Sequence, residues 1–229
     1  YLLTIYQTTK NYKEAINSLE KIKNKNHKLL KAYQQIAHFR GIELFNNSDF
    51  ANAIIYFDKS LKNDFDSKIN AFNHYWKGEA YYQMSKYNEA IESYNKFLLA
   101  KGAFDTPEYA KSYYSIGYCW FKQKSFANAL TAFRKFLNDT KNVQSKEIIS
   151  DAYNRAGDCY FITKEFNQSI QMYDKAIELN TLDVDYALYQ KSIALGANGK
   201  MQEKKEVILQ LLNNYPKSNW VDESQYELG

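Results

Sequence analysis

Small and large side chains alternate along this chain at fixed distances. Gly41 and Ala53, Gly78 and Ala90, and Gly117 and Ala129 are each 12 residues apart, and Gly157/Ser169 and Ser192/Lys204 keep the interval. Three residues after the first four glycines stands a large side chain: Leu44, Tyr81, Trp120 and Tyr160. Four residues after the alanine slot stands another: Phe57, Tyr94, Phe133, Tyr173 and Ile208. A third large residue opens each second segment, as Phe50, Tyr87, Phe126, Phe166 and Met201. The pattern predicts pairs of helices whose backbones approach at the small residues. A constant interval means the turn inside each pair cannot change length. From the alanine slot to the next small residue the distance varies between 23 and 28, so the slack lies between pairs, where loops tolerate it.

The punctuation agrees with helices. The sequence has only 8 glycines and 2 prolines, too few for the many tight turns of a sandwich or barrel. Thr106-Pro107-Glu108 predicts a helix start, with a cap, a first-turn proline and an acid near the positive end of the dipole. Asn11, Asp49 and Asn88 stand where second helices begin.

A small residue, an aromatic, then Ala-x-x-x-aromatic, closed by a proline such as Pro216, resembles the tetratricopeptide repeat. The resemblance covers nearly the whole chain. It implies an all-α fold, a right-handed α-α superhelical solenoid of helix-turn-helix repeats. One domain, 1–229, is expected. It comprises a partial repeat (1–26), units at about 27–66, 67–105, 106–143, 144–182 and 183–217, and the first helix of a further unit (218–229). The units run 35 to 40 residues, against about 34 in the family. Such lengthened units, and the stretch Tyr75-Trp76-Lys77-Gly78-Glu79-Ala80-Tyr81-Tyr82, are similar to bacterial cell-envelope members such as the Tol–Pal coordinator and the outer-membrane assembly lipoprotein. A periplasmic or envelope setting is therefore expected, with a cytoplasmic one as the alternative. Both ends stop within a repeat, so the chain is expected to belong to a longer protein, and its open ends would permit self-association.

Composition narrows the function. The net charge is +4, and residues 1–62 hold 10 basic and 5 acidic side chains against 20 and 21 in the remainder. With three arginines (Arg40, Arg134 and Arg155) there is no sustained basic stripe, so no nucleic-acid partner is expected. No apolar run approaches the ~18 residues of a membrane span, so no membrane insertion is expected of this stretch. Cys119 and Cys159 fill the slot that Ala80 holds in the preceding unit, and are expected to be buried free thiols. His27, His38 and His74 come without a cysteine or carboxylate at ligand spacing, and no phosphate loop or nucleophile elbow occurs. No catalytic residue, metal or cofactor is expected.

The resemblance places first helices on a concave, ligand-facing side. The residues it points there include His38; Tyr75, Trp76, Glu79 and Tyr82; Tyr114 and Tyr118; Asn154, Arg155 and Asp158; and Tyr189 and Gln190. The family's clamp for a C-terminal carboxylate is absent, because its slots hold His38/Ile42, Tyr75/Glu79, Tyr114/Tyr118 and Asn154/Asp158. Tyrosines replace it, offering large area at low entropy cost with a hydroxyl at the tip. Packing between first helices competes with recognition as their role, and Arg155 can pair with a ligand acid or with Asp151 or Asp158. The expected function is a non-catalytic scaffold binding a peptide or protein. The alternative is the sensory or regulatory array of a multidomain signalling protein.

Overall fold

The structure, a computed structural model, describes residues 11–228. Twelve helices and no strand occur among them: α1 (Tyr12–Glu20), α2 (His27–Asn46), α3 (Phe50–Leu61), α4 (Ser67–Gln83), α5 (Tyr87–Leu99), α6 (Pro107–Lys122), α7 (Phe126–Asn138), α8 (Lys146–Ile162), α9 (Phe166–Leu179), α10 (Val184–Ala197), α11 (Met201–Asn214) and α12 (Val221–Tyr226). The chain divides into two compact units, the first ending at Ser112 and the second beginning at Tyr113.

In the first unit α2/α3 and α4/α5 are helical hairpins, and α4 also touches α2. In the second, α8/α9 and α10/α11 repeat the arrangement, with α10 against α8. Each second helix turns its apolar stripe inward: Phe57, Tyr94, Phe133 and Tyr173 are all fully buried, each side chain worth about 1.5–3 kcal/mol when removed from water.

Those four rings explain the glycines. A Cβ on Gly41 would come within 2.4 Å of the Phe57 ring, and on Gly78, Gly117 and Gly157 within 2.6–2.7 Å of Tyr94, Phe133 and Tyr173. The ring sixteen residues on therefore lies flat against the glycine. The alanine slot shares the approach, since Ser169 there donates to the Gly157 carbonyl at 2.9 Å.

The constant interval has its cause in the turn. In every hairpin the residue seven beyond the small position is left-handed: Ser48 (φ 60°), Ser85 (59°), Lys124 (59°), Lys164 (63°) and Gly199 (77°). The following N–H reaches back to the carbonyl three past the small position, as Asp49 to Leu44 (2.9 Å) and Lys86 to Tyr81 (2.9 Å). This is a Schellman closure, which spends a fixed number of residues between the helices. The same bonds recur at Ser125 to Trp120, Glu165 to Tyr160 and Lys200 to Leu195.

Helix starts are capped as polar residues allow. Asn11, Asn26, Asp66 and Ser145 accept from backbone N–H groups of their first turns. At α6 the sequence-based expectation needs amending: Pro107 opens the helix, but the Thr106 hydroxyl donates to the Ala103 carbonyl at 2.6 Å and braces the loop before it. Cys119 and Cys159 are buried and not joined in a disulfide, and burial pushes the Cys159 thiol up to about 12. The last first helix is short, with only Val221–Tyr226 helical and Trp220 packed on α10.

Candidate functional site

In the second unit one stripe of α8 carries Asp151, Arg155 and Asp158, spaced so that all three face the same side of the helix. Tyr114 and Tyr118, one turn apart on α6, both donate to Asp151 Oδ2, the former at 2.8 Å. Tyr173 from α9 and Tyr186 from α10 both donate to Asp158 Oδ1, each at 2.8 Å. Arg155 bridges the two acids: Nη1 lies 2.6 Å from Asp158 Oδ2 and Nε 3.5 Å from Asp151 Oδ1. Its guanidinium lies 4.8 Å from the Tyr186 ring centre and 5.8 Å from that of Phe121, distances at which ring faces attract cations.

The acids do not fare alike. Burial raises the Asp158 carboxyl above its ordinary range, and Arg155 with the two tyrosines offsets this only in part. Arg155 is held charged, because its carboxylate neighbours outweigh its own desolvation. Although Arg155 touches Asp158 Oδ2, neither that oxygen nor Arg155 Nε has the alignment of a hydrogen bond. A cleft of about 250 Å³ opens beside the pair, lined by Phe121, Ile162, Tyr173, Tyr186 and Gln190.

The other expected residues fall in several settings. Asn154 is 1% exposed, and its side-chain carbonyl has no hydrogen-bond partner among the described residues. Tyr189 is stacked under Trp220, centroids 4.6 Å apart, while Gln190 lies at the cleft. In the first unit His38 is 7% exposed and its Nδ1 lies 2.8 Å from Asn73 Oδ1. Asn73 in turn donates to Ser60, which donates to the Gln34 carbonyl. That polar chain stitches α2 and α3 to α4, and burial holds the His38 imidazole below its ordinary value, hence neutral. Tyr75 packs on Trp76, Tyr94 and Phe97, and Trp76 meets Phe45 at 5.1 Å. Tyr82 packs edge-on to Tyr87, and Glu79 accepts from the Tyr94 hydroxyl at 2.7 Å.

Arg155 meets both acids that sequence reasoning offered it, Asp151 and Asp158, but that reasoning missed Asp151 as the acceptor of Tyr114 and Tyr118, and Tyr173 and Tyr186 as donors to Asp158. A signal existed within the chain. Where the ring sixteen residues past the glycine is tyrosine (Tyr94, Tyr173), the residue after the glycine is an acid (Glu79, Asp158); where it is phenylalanine (Phe57, Phe133), that residue is Ile42 or Tyr118. A buried phenol needs an acceptor and a phenyl ring does not.

No group of histidine, cysteine and carboxylate side chains among the described residues is arranged to hold a metal ion, and no described helix is long and apolar enough to cross a membrane.

Paired helices with a fixed Schellman turn and a glycine under each ring define a helical-hairpin repeat protein. Residues 75–143, 150–181 and 186–218 each match a sequence model of the tetratricopeptide repeat, together more than half of the chain, and the chain belongs to that family. No curated protein matches the sequence significantly. Among solved structures it is similar to the MamA protein (24% identity, TM-score 0.67, covering 81% of this chain and 93% of that one). It is also similar to YrrB, described as a TPR protein with an unusual peptide-binding site (16%, 0.68, 94% and 98%). A third is MamA from residue 41 onward from Desulfovibrio magneticus RS-1 (14%, 0.64, 82% and 97%). At these identities the likeness is one of fold.

Proposed function

We propose that the chain is a non-catalytic scaffold that binds a peptide or protein along its first helices. The observation that carries this reading is the face made in the second unit by α6, α8 and α10, where aromatic rings, a guanidinium and a side-chain amide border an open cleft. Such a surface combines rigid area with fixed polar contacts, the mixture that recognition surfaces use. The repeat family, whose members serve as interaction scaffolds, supports it, as does the peptide-binding site named for YrrB. The lengthened units and the Tyr75–Tyr82 stretch favour an envelope setting within a longer bacterial protein; fractionation of the full-length protein tests that, and a purely cytosolic pool would remove it.

The main test is hydrogen exchange on the complex with a captured partner. Slowed exchange on α8 and α10 is the expected result. Protection confined to the second helices α9 and α11 would place binding elsewhere and overturn the reading.

A further inference from the structure

The charge of the second unit's cluster is unbalanced. Two carboxylates, Asp151 and Asp158, share one guanidinium, Arg155, and the other groups bonded to them are neutral tyrosine hydroxyls. One negative charge is left over in a half-buried, aromatic-walled place, where solvent screens it less than at an open surface. Asp151 is the accessible member: its side chain is 25% exposed against 10% for Asp158. Both tyrosine bonds to Asp151 go to Oδ2, and Oδ1 has only the long 3.5 Å approach of Arg155. The Asp158 oxygen nearest Arg155 makes no hydrogen bond.

We infer that the cleft beside Arg155 and Asp158 receives a cationic side chain, arginine or lysine, of the bound partner, with the surplus negative charge of the Asp151–Arg155–Asp158 cluster as its counter-charge and the rings of Phe121, Tyr173 and Tyr186 as its walls. The inference rests on the scaffold reading above and names the partner's chemistry at one position. An anionic side chain fits worse, because Arg155 is already engaged by two acids and would bring no net positive charge. An aliphatic one would fill space and leave the excess charge uncompensated. The raised Asp158 carboxyl points the same way, since Arg155 does not fully offset its burial and a second cation nearby would. Between the two cations, aromatic walls favour the planar guanidinium, which stacks as well as pairs.

The test uses blocked pentapeptides, Gly-Gly-X-Gly-Gly, with X arginine, lysine, citrulline or glutamate, titrated into the protein while NMR follows the Tyr186 ring and the Trp220 indole, which sits 5.6 Å from it. Citrulline keeps the shape of arginine and removes its charge. The arginine peptide is expected to shift these signals and to bind about tenfold better than the citrulline peptide, the ratio expected for one compensated charge. Asp151→Asn is expected to abolish that preference. Because Asp151 also orders Tyr114 and Tyr118, Gln190→Lys serves as a second variant: it adds a positive charge at the cleft without touching the cluster's bonds, and should weaken the arginine peptide comparably. Equal binding of citrulline or glutamate, indifference to both variants, or no shift with the arginine peptide would overturn the inference. A captured protein that binds on α8 and α10 regardless of both variants would leave the scaffold reading standing and remove only this one.

Discussion

The four glycines under buried rings have no room for a side chain. Gly117→Ala would place a methyl group 2.7 Å from the Phe133 ring, which is itself enclosed and cannot swing away. Alanine gains about 1 kcal/mol of helix propensity over glycine, but overpacking a close-fitted core costs about 1–3 kcal/mol or more, so net destabilisation is expected. Gly196 is the contrast: a Cβ there meets only the Lys204 chain, at 3.1 Å, an unbranched side chain that needs to give by a few tenths of an ångström while its ammonium stays on Glu227. Gly196→Ala should be neutral or stabilising by up to about 1 kcal/mol. Urea denaturation of both variants decides it, and equal losses would refute the ring explanation. The glycine–alanine interval was legible in the sequence because it follows one strict turn. The glycine–ring contact is equally regular, but a close approach of two helix backbones accounts for a glycine as well as a ring does, so the pattern alone does not separate them. The Arg155 pairings within α8 were legible from helical spacing, but the tyrosines that complete the Asp151 cluster were not. Tyr114 and Asp151 lie 37 residues apart and meet only because α6 and α8 present matching faces.

The hairpin turns, at the scale of the element, carry a cost the sequence hides. Four of the five left-handed positions hold serine or lysine, although L side chains pay roughly 1–2 kcal/mol in that region. Glycine recovers most of this and gives back about 0.5–1 kcal/mol of unfolded-chain entropy. Lys124→Gly and Ser85→Gly are each expected to stabilise by about 0.5–1 kcal/mol, and Gly199→Ala to destabilise by a similar amount, read as shifts of the denaturation midpoint. No change in any of the three would mean that these turns relax out of the left-handed region. The repeat pattern marked where the turns lie, but not their conformation, because neither serine nor lysine signals a positive φ as glycine or asparagine does.

Across the whole molecule the two units differ in what acid does to them. His38 in the first unit is buried neutral, with its folded value below the ordinary 6.5. Between those two values the unfolded state binds more protons, so its contribution is intact above about pH 6.5 and is lost as pH falls towards the depressed value. Asp158 in the second unit is shifted the other way: burial raises it above the ordinary 3.8, so between the two values the folded state binds more protons. Its contribution to stability therefore grows as pH falls through the raised value, because protonation removes a buried charge. Acidification from neutral to about pH 5.5 should thus reduce protection in α2–α4 first, as His38 must be protonated against the Asn73–Ser60 chain it is bonded into. Residue-resolved hydrogen exchange, corrected for intrinsic rates at each pH, reads the two units separately. His38→Gln, which keeps an N–H donor for Asn73 and cannot take up a proton, should reduce the response of the first unit to the share of His74, whose imidazole burial also holds below its ordinary value, and leave the second untouched. If wild type and variant lose protection alike, His74 and not His38 senses acid in the first unit, and the polar chain through Asn73 tolerates a charged imidazole.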